Sequence, residues 1–281
     1  MTLSFLRGAA ISLMLALGAG ALRADEAPVP DPVGQIVTAM RGAEMIAVMR
    51  LEGEQYGDAL SQQYLGSPGT AGWITQVDAI YDRTLTIDRI TEGMRGALQG
   101  ADTDAILTFL TSQTGTRFAE AELQARRAML DPQIEAAALA SGRQAVAAQS
   151  PRALQLGRMM DATDMVSTNT ALTLNDLLAL FHGLRDGQFP GLDMSDAQIL
   201  EIVSSQASDL DRTTTDWLHG YLQLAYSSIS DADVDAYIAF LETPAGQAFN
   251  AATFATFGTI SEDINTALGH ALAEAAGRKP L

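Results

Sequence analysis

Apolar side chains recur at intervals of three and four residues over most of this chain, a spacing that predicts helices. Val33, Ile36, Val37, Met40, Ile46 and Met49 mark a helix over 33–51. After a break at Gly66-Ser67-Pro68-Gly69, the same spacing resumes through Trp73, Val77, Ile80 and Tyr81, and then through Ile87, Ile90, Met94 and Leu98. A long helical region rich in Ala, Glu and Arg spans 119–147 and is interrupted at Asp131-Pro132, because proline cannot donate to the helix ladder. In the second half the runs fall at 152–167, 172–185, 196–207, 211–228 and 232–242, with a last pair near 244–256 and 261–276. The segment 186–191 (DGQFPG) is the clearest connector. No segment alternates with period two for long enough to make a strand, so the expected fold is an all-α, multi-helix bundle without significant sheet.

The pattern also repeats. Residues 104–118 (DAILTFLTSQTGTRF) return 131 positions later as 235–249 (DAYIAFLETPAGQAF), with Asp104/Asp235, Ala105/Ala236, Phe109/Phe240, Leu110/Leu241, Gly115/Gly246 and Phe118/Phe249 identical. Chance would supply about one identity over fifteen positions. A period this long implies two copies of a multi-helix unit rather than a solenoid. The expected organisation is therefore a bundle of two related helical repeats, units 25–150 and 151–281, meeting at Ser150-Pro151. Thr243 precedes Pro244, and Ser112 holds the equivalent place in the first copy. A hydroxyl N-cap, with proline at the first helical position in the second copy, signals a helix start. Each motif thus reads as helix, corner, helix, with the phenylalanines as core positions. Gly115 and Gly246 fall in the first turn after the corner, where a hydrogen side chain permits close helix approach. Capping boxes are expected at Ser195/Gln198 and Ser230/Asp233.

At this motif, FLETPAGQAF following DADVDAYI resembles the core of exported bacterial domains catalogued as domain of unknown function 2059. The first copy, FLTSQTGTRF, departs from that pattern at Gln113, where the family often has proline. The resemblance covers about fifteen residues in each copy. It implies an all-helical exported protein and carries over no functional residue.

The N-terminus agrees with export. Arg7 precedes a thirteen-residue apolar run from Ala9 to Ala21, and Ala24 stands before Asp25-Glu26. That run is shorter than the ~20 residues a transmembrane helix needs, so residues 1–24 read as a cleaved signal peptide. No cysteine follows it, so no lipid or membrane anchor is expected after cleavage, and the expected location is the periplasm of a Gram-negative cell. The chain has no cysteine at all, which removes disulfides, thiol nucleophiles and cysteine-based zinc sites. Residues 25–281 carry 15 basic and 34 acidic side chains, a formal charge of −19. Such a surface disfavours nucleic acid, which needs a basic patch.

Candidate chemistry is sparse. His182 with Asp186, His219 with Asp216 and His270 with Glu274 each stand three or four residues apart, so each pair can share a helix face. None adds the third or fourth ligand a metal site requires. Asp231, Asp233, Asp235 and Glu242 imitate a calcium loop, but Ala236 stands where that loop needs glycine. Acidic residues at a helix N-terminus complement its dipole and explain the run without calcium. Glu122 and Arg126 form an i, i+4 pair expected on a solvated face. There is no nucleophile elbow, Ser/His/Asp constellation or phosphate loop. No catalytic, cofactor-binding or metal-ligating residue is nominated. Two readings follow. One is a non-catalytic periplasmic protein that binds a protein, peptide or apolar ligand in envelope maintenance. The other is a periplasmic hydrolase with an unrecognised carboxylate/His site. A histidine converging with carboxylates in a cleft would favour the enzyme, and a mostly apolar pocket without one the binding protein.

Overall fold

A computed structural model describes residues 31–277. The signal peptide read over residues 1–24 lies outside the described residues. Within them the chain forms thirteen α-helices and no strand. They are α1 (Pro32–Ala39), α2 (Gly42–Leu60), α3 (Ala71–Thr84), α4 (Ile87–Ala97), α5 (Thr103–Leu110), α6 (Gln113–Ala128) and α7 (Pro132–Ala147). Beyond Ser150 follow α8 (Pro151–Ala162), α9 (Met165–Asp186), α10 (Asp196–Ser204), α11 (Ala207–Ala225), α12 (Asp231–Leu241) and α13 (Pro244–Gly277). A π-helical turn, Ser61–Leu65, extends α2 to the glycine/proline break. The all-α expectation holds, and no described helix is long and apolar enough to cross a membrane.

Local chemistry sets the boundaries. Ser112 and Thr243 each accept from the backbone N–H three residues on, Gly115 and Gly246, at 3.0 Å. Ser150 caps α8 with Pro151 in the first turn, and Ser195 with Gln198 completes a capping box on α10. Three sequence expectations need correction. The single helix over 33–51 is two, because Arg41 takes a left-handed conformation (φ 51°) and turns the chain between α1 and α2. The run at 152–167 stops at Ala162, and a second left-handed residue, Asp164, starts α9 seven residues before the expected 172. The last two runs are one 34-residue helix, α13. No residue between them forces a break, and at Gly258 a Cβ would fall 2.6 Å from Leu172 of α9, so the helix runs close against that side chain.

The long α13 is the spine. Its heaviest packing is against α9, where Gly183 and Gly269 bring the two backbones together. A Cβ on Gly183 would lie 2.3 Å from the Thr266 carbonyl oxygen, and one on Gly269 2.4 Å from that of Leu180. Helices α3, α4 and α5 also pack on α13, and α7 lies along α11. Apolar side chains from both sides of Ser150, including Met45, Leu110, Phe118, Leu180, Tyr221 and Phe257, join one contiguous core. At the two corners Phe118, Phe240 and Phe249 are buried as expected, whereas Phe109 is only half-buried. It remains partly exposed because its neighbour is the ring of Phe240, stacked 3.9 Å away, which covers one face.

Candidate functional site

A cavity of about 290 Å³ opens between α2, α3, α9, α11 and α13, with the end of α6 and the start of α7 at its rim. Helix α2 contributes Met49, Glu52 and Tyr56, and α9 contributes Asp176 and Leu177. Ile260, Ser261, Ile264 and Asn265 come from α13, one turn apart along a single face. Tyr81 of α3 and Trp217 of α11 supply further aromatic wall. The Tyr81 ring rests on α2 at Gly53, where a Cβ would fall 2.4 Å from the ring. Trp217 stacks on Tyr221 with centroids 5.0 Å apart.

A few polar groups break the apolar lining. Arg126 donates through Nε and Nη2 to both oxygens of Glu52, each at 2.7 Å, while its Nη1 has no partner. Burial opposes the guanidinium charge, and the Glu52 carboxylate more than offsets that, holding the Arg126 pKa above its ordinary value. Across the cavity Ser261 Oγ donates to Asp176 Oδ2 at 2.7 Å, and Asp176 Oδ1 is buried without a hydrogen bond. Burial pushes the Asp176 carboxyl up to about 7; the Ser261 hydrogen bond opposes the rise and Glu262 adds to it, while the Asn265 amide nearby also favours the charged form. Tyr56 donates to Asn265 Oδ1 at 3.0 Å. Burial raises the Tyr56 and Tyr81 hydroxyls well above their ordinary range, so both stay neutral.

Glu122 and Arg126 do not lie on a solvated face; each is 2% exposed. Nor do they pair, since Arg126 serves Glu52 and Glu122 takes the Tyr226 hydroxyl on Oε1. Tyr221 donates to the Glu122 backbone carbonyl at 3.1 Å. Burial pushes the Glu122 carboxyl up to about 8, against the opposing Tyr226 hydrogen bond. The i, i+4 spacing is real, but the face it marks is the one carrying Gly115, Phe118 and Ala125, all buried. Extending the Phe118 stripe by one and two turns would have placed both residues inside.

None of the three histidines borders the cavity. His182 Nε2 lies 3.4 Å from Asp196, not Asp186, which pairs with Arg185. His219 is half-buried and its pKa is lowered by that burial, partly opposed by Asp216; Asp216 also faces Arg143 at 3.8 Å. His270 is exposed, and Glu274 accepts from Gln76. The acidic run begins a regular helix. Asp231 meets Arg152 at 2.7 Å, Asp233 meets Arg117 at 3.1 Å and Asp235 meets Arg158 at 2.7 Å. These carboxylates tie α12 to α6 and α8, and among the described residues no three His, Asp or Glu converge to hold a metal ion. Sequence reasoning missed the cavity groups because Glu52, Arg126 and Asp176 come from helices far apart in the chain. The chain matches no protein-family model, no curated protein and no solved structure.

Proposed function

We propose that this is an exported, non-catalytic helical protein that holds a small, largely apolar ligand in the cavity between α2, α9, α11 and α13. The observation that carries the reading is the cavity itself: a concave site walled by Tyr56, Tyr81, Trp217, Leu177, Ile260 and Ile264, with a few convergent polar groups. That composition is the usual one for a small-molecule site. The hydrolase reading has less support, because its histidines stand outside the cavity and the hydroxyl hydrogen-bonded to the Asp176 carboxyl, that of Ser261, has no histidine to activate it.

The same proposal places the protein in the periplasm, in envelope maintenance, and groups it with the exported domains of unknown function 2059. The signal-like N-terminus and the FLETPAGQAF motif support both. The same reading derives units 25–150 and 151–281 from one ancestral unit. It is supported by the matching corners at Ser112 and Thr243, although α6 runs 16 residues and α13 runs 34. A protein or peptide partner remains compatible with the reading if it offers an apolar side chain to the cavity.

The test uses N-phenyl-1-naphthylamine, a neutral apolar fluorophore, with energy transfer from the two tryptophans, Trp73 and Trp217, as the readout. Saturable binding by wild type, lost in Thr173→Phe at unchanged melting temperature, is expected because the larger side chain enters the cavity from α9. Absence of saturable binding, or binding that Thr173→Phe leaves intact, overturns the proposal.

A further inference from the structure

The charges around the cavity select among ligands. Its single cation, Arg126, is committed to Glu52 through two hydrogen bonds of 2.7 Å. Opposite it, Asp176 has no cationic partner. Its Oδ2 is held by Ser261, its Oδ1 is buried with no hydrogen bond, and the charge of Glu262, another carboxylate, acts on it. A buried carboxyl oxygen without a donor is a costly arrangement in a finished core. Here the oxygen belongs to a side chain that lines an open cavity also bordered by the rings of Tyr56, Tyr81 and Trp217. Electron-rich ring faces favour cations, and the acidic surface, formally −17 over the chain, draws them inward.

Building on the proposed ligand-binding role, we infer that the cavity takes an organic cation: an amine or ammonium head seated against Asp176, with an apolar body along Leu177, Ile260 and Ile264. A carboxylate ligand would have the unpartnered Nη1 of Arg126 as its donor, but it would have to settle between Glu52 and Asp176. The cation meets no such repulsion. It also supplies the donor that Asp176 Oδ1 lacks.

Binding then exchanges one positive charge for another. With the free carboxyl half-protonated at about pH 7, an arriving ammonium displaces the Asp176 proton to solvent and leaves a carboxylate–ammonium pair. The groups facing Asp176 do not compete in this range. Tyr56 from α2 and Tyr81 from α3 keep their protons, Glu262 on α13 disfavours the Asp176 charge, and Ser261 and Asn265 are neutral. Affinity for a permanent cation should therefore rise about tenfold between pH 6 and pH 8, as linkage to one group titrating near 7 requires.

The experiment displaces N-phenyl-1-naphthylamine from the full mature chain with n-octylamine, n-octanol and n-octanoate, matched in length and differing in charge. The amine should bind at least tenfold tighter than the alcohol and tighter still than the octanoate. Calorimetry in buffers of different ionisation enthalpy should show proton release on amine binding. Asp176→Asn, which mimics the neutral carboxyl, should fold with a melting temperature no lower than wild type at pH 8, and should lose the amine preference and its pH dependence. If Asp176→Asn does not fold, proton release by wild type still decides the matter. Octanoate binding as tightly as the amine, an amine preference that survives Asp176→Asn, or no proton release overturns the inference. Equal binding of amine and alcohol overturns it while leaving the apolar cavity reading standing, whereas failure of all three compounds to bind removes both.

Discussion

Phe109 and Phe240 lie face to face, with ring centroids 3.9 Å apart and planes within 2° of parallel. They occupy corresponding positions of the two sequence motifs, so equivalent corners meet through equivalent rings. Tyr237 extends the cluster, 5.5 Å from Phe109 and 4.5 Å from Phe118. The first corner therefore packs on the second rather than on its own half alone.

Removing either ring should destabilise the fold unequally. Phe240 is buried and Phe109 half-buried, so Phe240→Ala should cost about 3 kcal/mol or more and Phe109→Ala distinctly less. The double-mutant cycle should return a coupling of about 0.5–1.5 kcal/mol. Urea unfolding of the two single variants and the double variant measures it; additivity within error would mean the stacking contributes nothing beyond burial.

The corner glycines should not tolerate even a methyl. A Cβ on Gly246 would sit 2.0 Å from the Phe240 carbonyl oxygen, and one on Gly115 2.3 Å from that of Phe109. These are backbone atoms at the end of the preceding helix, and they cannot swing aside. Gly246→Ala and Gly115→Ala should each lose about 1–3 kcal/mol. Gly157, helical in α8 with no atom within 4 Å of its would-be Cβ, is the control: Gly157→Ala should gain about 0.4–1 kcal/mol. Thermal unfolding separates the three, and a stabilised Gly246→Ala would contradict the corner geometry.

These corners were legible in the sequence, and the cavity was not. Hydroxyl, small residue and phenylalanine at fixed offsets specify a cap and a first turn locally, so Ser112 and Thr243 could be placed without knowing the fold. The merging of 244–256 with 261–276 was not legible in the same way. Gly258 is a poor helix former, and the side chain that lies where its Cβ would be, Leu172, is 86 residues earlier in the chain. Glu122 and Arg126 illustrate the same limit from the polar side. Their spacing shows that they share a face, but what that face meets is decided by Tyr226 and Glu52, more than seventy residues away in each case.

Stability should fall as pH rises from about 5 to 8. Glu122 titrates at an ordinary 4.5 when unfolded and at about 8 when folded, and Asp176 moves from 3.8 to about 7. Between those limits the native state holds protons that the unfolded chain has released, so each group removes up to about 1.4 kcal/mol per pH unit. The loss begins above the unfolded pKa and levels off once pH passes the folded value. The melting temperature should thus decline across this window, and Glu122→Gln, which keeps an acceptor for Tyr226 without the ionisable proton, should flatten the decline and raise stability at pH 8. A profile equally steep in Glu122→Gln would show that Glu122 is not the proton carrier.

The two partners of the Arg126–Glu52 pair should respond differently to removal. Arg126 is 2% exposed and Glu52 24%, so the arginine depends on the pair far more than the glutamate does. Glu52→Ala strands a buried guanidinium, with all five N–H donors lacking a carboxylate, and should cost about 3–5 kcal/mol. Arg126→Leu strands a carboxylate that already reaches solvent at the cavity edge and fills part of the buried volume with an apolar side chain, so the loss should be smaller. The same asymmetry should appear in ligand binding. Arg126→Leu turns Glu52 into a second unpaired carboxylate on the cavity wall, which should strengthen octylamine binding relative to octanol at pH 8. Chemical unfolding and the displacement assay test the two halves of the prediction together. Arg126→Leu proving as damaging as Glu52→Ala would place the cost of breaking the pair on the glutamate side.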